Sequence, residues 1–273
     1  MPLLNNTALA ITFTAVVRGL GALSLLFLTA IITNKVGVET AGVFFFSQAV
    51  FLFCVTMCKW GSDIVLCRYL ASESDQSRNL HILSYASSTI FLVSLRYALV
   101  VFVLVLFSKY IAPDYSTLWK LSFYLALLTN SIILSLAGIF QAFRAINTYV
   151  LYQSVLIPLL SSIGIWFFDV STVDGLWRII LFVSVLVLIA MISQLSSMFL
   201  NGRNVFSSSY KPFDIKLIKF INKKATNIGA DQIITALNKY GYIFIIGLFM
   251  APTDVTFFTV AQRFAMTISF FLL

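Results

Sequence analysis

Long apolar stretches that are nearly free of charge constrain this chain more than any other feature. A bilayer's hydrocarbon core is about 30 Å thick and takes about 20 apolar residues in helical form to cross. Eight such stretches can be read along the sequence: 7–33, 41–70, 82–111, 118–143, 149–168, 176–200, 226–250 and from 255 to the end. In hydrocarbon every backbone N–H and C=O has to be satisfied internally, so runs of this length must be helices. The predicted class is an all-α integral membrane protein with about eight transmembrane helices.

Composition supports that class. Only 10% of the 273 residues are charged and 60% are hydrophobic, whereas a soluble domain carries about 25% charged residues. A net charge of +8 is also found in nucleic-acid binders. Here, however, the basic residues sit between apolar runs and no nucleic-acid-reading motif is present, so no nucleic-acid partner is expected. Cys54, Cys58 and Cys67 lie in one apolar segment without histidines at ligand spacing, and the lone His81 falls in a short polar loop. Neither a metal site, a cofactor nor a catalytic histidine pair is expected. The first apolar run is too long for a signal peptide and lacks a basic leader.

Basic residues set the orientation. The one long loop, 201–225, carries Arg203, Lys211, Lys216, Lys219, Lys223 and Lys224. The positive-inside rule places it in the cytoplasm. Alternation then puts Arg68, Arg78 and Arg144 on the same side and leaves Lys35, Lys109, Lys120 and Arg178 outside. The N-terminus is therefore predicted to be cytoplasmic. Within the loop, Phe213, Ile215, Leu217, Ile218, Phe220 and Ile221 interleave with lysines, a pattern that suits either an interfacial amphipathic helix or a solvated linker. The predicted domains are a six-helix lobe over 1–200, a basic linker over 201–225, and the first two helices of a second lobe over 226–273. Because the last apolar run stops without polar flanks, the sequence reads as the C-terminally truncated form of a longer protein.

A shift of 214 positions superposes the first two helices on the last two without a gap. It pairs Thr12 with Thr226, Ala22 with Ala236, Phe44 with Phe258, and Gln48 with Gln262. Copies six helices apart cross the membrane in the same direction. They form a parallel repeat about an axis along the membrane normal, as in transporters that hold substrate between their halves.

Seven ionisable residues fall inside the predicted spans: Arg18, Lys59, Asp63, Arg96, Asp231, Lys239 and Arg263. Each costs about 2.5–3.5 kcal/mol at a helix centre on insertion scales, so a polar interior is expected for them. Gln48, Thr56, Lys59 and Asp63 share a helical stripe, with Lys59 one turn from Asp63. Thr14, Arg18, Gly21 and Thr29 form a second stripe, and Asp231, Thr235, Asn238 and Tyr242 a third with Lys239 beside it. The bland alternative is a set of paired or snorkelling groups. Five cations against two anions make a positive cavity, whose natural guest is a phosphate or diphosphate held by arginine forks.

The segment "LTAIITNKVGVETAGVFFF" at 28–46 and "WGSDIVLCRYLA" at 60–71 resemble the opening of Wzx-type polysaccharide flippases, of the multidrug/oligosaccharidyl-lipid/polysaccharide exporter superfamily. "GIFQAFRAINTYVLYQ" at 138–153 and "LNKYGYIFIIGLFMAPTDVTFFTVAQRFA" at 237–265 agree. The likeness runs through nearly the whole chain as a pattern of small, apolar and charged positions. It implies a two-lobed transporter with the first, second, seventh and eighth helices around a central cavity. It also implies a bacterial inner-membrane location and alternating access for an undecaprenyl-pyrophosphate-linked O-antigen or capsule repeat unit, with the lipid tail left in membrane lipid. A polysaccharide polymerase and a chain-length regulator are the partners it implies, and no enzymatic activity. Lipid II flippases and cation-coupled multidrug exporters are the rivals within the superfamily. From another class, a membrane-embedded polymerase or ligase would need a large periplasmic loop, and every loop assigned outside is short.

Overall fold

The computed structural model describes residues 2–72, 75–111, 116–168, 170–201 and 215–272. Among these residues the chain is helical with no strand. The elements are α1 (Pro2–Val36), α2 (Val38–Lys59), α3 (Ser62–Ser72), α4 (Asp75–Ile111), α5 (Thr117–Ala142), α6 (Ile146–Val150), α7 (Leu156–Phe167), α8 (Val173–Asn201), α9 (Ile215–Phe249) and α10 (Pro252–Leu272), with a π turn at Leu151–Val155. Among the described residues seven stretches are long and apolar enough to cross a membrane. Together with α10 they make the all-α membrane bundle of about eight helices that hydropathy predicts.

Helix ends depart from the predicted spans, because hydropathy reports the part of a helix that sits in lipid and not where its hydrogen bonding stops. The segment predicted as a loop at 34–40 shrinks to Gly37, which takes φ 81° between α1 and α2. Likewise the polar run 75–81, read as loop around His81, forms the first turns of α4. Residues 215–225, assigned to the linker, open α9, and Ile221 and Ala225 are buried against Val65 and Leu92. The rest of the predicted amphipathic stretch, with Arg203 and Lys211, lies outside the described residues, as do the side chains of Arg78, His81, Lys109 and Lys216.

Two local irregularities have readable causes. Pro158 has no N–H for the carbonyl of Ser154, and the chain absorbs the misfit in the π turn just before it. Gly21 lets α1 approach there, since a Cβ on it would meet Ser154 Oγ at 3.0 Å. The second irregularity divides the predicted span 41–70: the backbone turns at Trp60 (φ 44°) and Gly61 (φ 71°), separating α2 from α3.

α5 is the most enclosed helix. Small residues on it, Ala126, Ser131, Ser135 and Ala137, are buried and let its neighbours, α8 among them, pack closely, as in other membrane bundles that lack a hydrophobic drive between helices. Asn130 donates to Ser184 Oγ at 2.7 Å across that seam. An aromatic cluster of Phe44, Phe51, Phe123 and Trp177 joins α2, α5 and α8. The bundle's two ends are distinct. Ser116 and Asp174 bond at one, bringing the starts of α5 and α8 together, while Tyr69 meets Phe220 at the other, where α3 ends and α9 begins.

Candidate functional site

The break between α2 and α3 creates two helix ends inside the bundle. The C-terminus of α2 carries the negative end of its macrodipole, and the N-terminus of α3 the positive end. Side chains answer both. Lys59 lies in the last turn of α2 and Asp63 in the first turn of α3, and they pair at 2.8 Å with side-chain exposures of 13% and 6%. The predicted pairing of these two residues therefore forms, but across a break and not along one continuous helix. Arg96 of α4 donates to the carbonyl of Lys59 at 3.1 Å and to Ser62 Oγ at 2.8 Å. Its other nitrogen donates to Asn222 of α9 at 2.8 Å.

Gln232 of α9 closes the junction from the opposite side. Its Nε2 donates to the second oxygen of Asp63 at 3.3 Å, while its Oε1 accepts from the N–H of Gly61 at 3.1 Å. The close approach depends on missing side chains. A Cβ on Gly229 would meet the Trp60 ring at 2.7 Å, one on Gly61 would meet Ile228 at 2.9 Å, and one on Gly138 of α5 would overlap the carbonyl of Asp63. Four elements converge on the break: the α2–α3 turn itself, α4, α5 and α9.

A second polar region lies between α1, α2, α9 and α10. Arg263 donates to Thr29 Oγ1 of α1 and to Gln48 Oε1 of α2, and its guanidinium lies 4.9 Å from the centre of the Phe45 ring. Beside it is a cavity of about 60 Å³, lined among others by Lys239, Tyr240, Gln48 and Gln262. The 214-residue repeat organises this cavity. Its lining contains Leu25 with Lys239, Phe45 with Thr259, Gln48 with Gln262, Ala49 with Arg263, and Leu52 with Met266, each pair related by the shift. The rim obeys the same rule. Thr256 donates to the carbonyl of Val38 at 2.7 Å, and Gly42, its counterpart, packs on the carbonyl of Pro252, the counterpart of Val38. Contacts in which i meets j′ and j meets i′ are the mark of a two-fold arrangement. Helix geometry is thus symmetric, whereas charge is not: both cations come from the second copy, opposite Leu25 and Ala49 in the first.

The predicted site residues accordingly divide. Lys59, Asp63 and Arg96 meet at the break, and Lys239 and Arg263 meet at the cavity. Arg18 and Asp231 join neither cluster. Arg18 is exposed on α1 beside Val17, which packs on Val150 and Val155 near the π turn. Asp231 is exposed with Thr235, Asn238 and Tyr242 on an open face of α9. Sequence reasoning missed Gln232, Asn222 and the cavity role of Gln262. Gly229, one helical turn before Gln232, was the available signal that a backbone approaches α9 closely at this level. Among the described residues no cluster of histidine, cysteine or carboxylate suits a metal ion.

Residues 3–273 match the polysaccharide biosynthesis protein family. No curated protein and no solved structure matches the chain.

Proposed function

Since the chain belongs to the polysaccharide biosynthesis protein family and is a multi-pass membrane protein, we propose that it is a flippase for an undecaprenyl-pyrophosphate-linked oligosaccharide, an O-antigen or capsule repeat unit, in a bacterial inner membrane. The carrying observation is the repeat-related cavity whose two cations, Lys239 and Arg263, both belong to one copy. A low-dielectric wall with unbalanced positive charge attracts a diphosphate and repels cations. The arginine fork suits phosphate oxygens, and Gln48 and Gln262 offer hydrogen bonds at equivalent places on the two sides.

In this conformation the cavity is far too small for a sugar head group, so transport requires the helices around it to separate. The reciprocal rim contacts form a seam about which the two copies rock, as alternating access demands. The junction at the break, where Gln232 and Asn222 reach from α9 to α3 and α4, acts as the latch that must release on one side. Arg18 and Asp231 serve as pathway residues outside this cavity. A cation-coupled drug exporter would need a negative cavity, which Lys239 and Arg263 oppose.

The decisive experiment expresses Arg263→Gln and Lys239→Gln, singly and together, in a host lacking its own copy of the gene. The expected outcome is loss of surface polysaccharide at normal membrane levels, with lipid-linked repeat units accumulating. Full polysaccharide in the double variant overturns the reading. Reporter fusions after Ser207 and after Val173 test orientation: the first should be cytoplasmic and the second periplasmic.

A further inference from the structure

A groove lies between the last turns of α3 and the first turns of α9, on the outer side of the break. Its volume is about 420 Å³, and its walls include Arg68 and Tyr69 from α3 and Phe220, Lys224 and Asn227 from α9. Val65 and Ile228 form the floor. Arg68 and Lys224 are exposed, and among the described residues neither forms a salt bridge and no carboxylate lines the groove. The two cations come from opposite walls, one on α3 and one on α9. The Tyr69 ring is held edge-on by Phe220 at 5.1 Å and by Tyr85 at 5.2 Å, which gives the groove a fixed aromatic flank.

Position gives the groove its significance. Ile228, part of the floor, is the residue that packs on Gly61 at the break. Whatever occupies the groove therefore sits one side chain away from the Lys59–Asp63 pair and the Gln232 clasp. We infer that this groove is a loading site for the diphosphate of a polyprenyl-linked substrate, bound between Arg68 and Lys224 before the latch opens. A diphosphate carries two linked anionic groups and matches one cation from each wall, whereas the single phosphodiester of a glycerophospholipid leaves one cation unanswered. The aromatic flank suits the apolar start of the prenyl chain or the face of the first sugar. The identity of this substrate rests on the flippase reading, but the groove itself is testable apart from transport.

Farnesyl pyrophosphate is a suitable probe, measured by titration against the purified full chain in detergent. Arg68→Gln with Lys224→Gln should weaken binding by roughly tenfold or more and flatten its salt dependence, since two charge-assisted contacts are lost. Arg68→Lys should retain an intermediate affinity, because a point charge remains without the fork. Arg178→Gln, at the other end of the bundle, should bind normally. Both substituted positions are exposed, and unchanged thermal unfolding will verify the fold. Wild-type affinity in the double variant overturns the inference. So does equal competition by phosphatidylglycerol, which would make the groove a seat for ordinary anionic lipid. Arg263→Gln separates the two proposals: normal farnesyl pyrophosphate binding without polysaccharide export supports both. Normal export from the Arg263→Gln/Lys239→Gln chain alongside groove-dependent binding sinks the cavity reading alone.

Discussion

The junction at the α2–α3 break and the cavity between the repeats both place charge inside an apolar bundle, but they surround it differently. At the junction Lys59 and Asp63 answer each other, Asp63 also accepts from Gln232, and Arg96 answers the C-terminal end of α2 through the Lys59 carbonyl. At the cavity Arg263 is held, among the described residues, by the neutral groups of Thr29, Gln48 and the face of Phe45. A charge balanced by a charge is a structural element, since removing one partner strands the other. A charge balanced by neutral dipoles keeps its field available to a guest. On the proposed function the two regions divide the work between a latch and a binding place.

The largest expected effect tests the junction. Asp63→Ala leaves Lys59 and the amide of Gln232 without their acceptor in a buried setting, which costs about 3–5 kcal/mol. Thermal unfolding in detergent should show a strongly lowered midpoint and the membrane yield should fall. Replacing both partners, Lys59→Met with Asp63→Leu, should recover much of that loss, because two apolar groups need no partner. A single variant as stable as the wild type would show that the pair is solvated and that the contrast with the cavity is false.

A finer test exchanges the pair, Lys59→Asp with Asp63→Lys. Two residues that served only each other would tolerate it. Gln232, however, uses both ends of its amide, one on Asp63 and one on the N–H of Gly61. A lysine at 63 faces the amide's NH2 group, and flipping the amide turns that group onto another donor. The helix ends also acquire the wrong charges. The exchange should therefore remain about 1–3 kcal/mol less stable than the wild type. Full recovery of stability and of surface polysaccharide would remove Gln232 from the latch.

At the cavity the expectation reverses. Arg263→Gln removes the charge and leaves only neutral partners behind, so the saved desolvation offsets the lost hydrogen bonds. Stability should stay within about 1 kcal/mol of the wild type, while export is lost. A drop as large as that of Asp63→Ala would make Arg263 a second structural cation.

Much of this arrangement was legible in the sequence, and the parts that were not share a cause. Hydropathy located the spans, because burial in lipid is a property of consecutive residues. Identity at a fixed shift located the repeat, and the pairing of Gln48 with Gln262 was visible without coordinates. The break at Trp60–Gly61 was hidden because the apolar character continues through it, and only Gly61 hinted that the backbone could turn. Gln232 stayed hidden for a related reason. The polar stripe of α9 drew attention to Asp231, but that face is open, and the contact across the bundle is made one residue later. Which face of a helix meets a partner depends on the partner's shape, here on Gly229 yielding to the Trp60 ring, and no single-helix pattern contains it.

The smallest effect belongs to the rim, where the two copies touch. Thr256 donates to the carbonyl of Val38 at 2.7 Å and lies 3.4 Å from that of Pro252. Thr256→Val keeps the shape and removes the hydroxyl. Val38 lies in the first turn of α2, so its carbonyl is also an intrahelical acceptor, four residues before Gly42, and is not orphaned by the change. The loss should be about 1 kcal/mol, that of one net hydrogen bond, seen as a small shift in thermal unfolding. Gly42 makes the counterpart contact through bare backbone, so its half of the rim has no hydroxyl to lose and remains intact in the variant. Export should therefore persist. If Thr256→Val instead abolishes export while the unfolding midpoint barely moves, the rim is not a passive seam: the hydroxyl then selects between conformations, and the latch cannot be confined to the break.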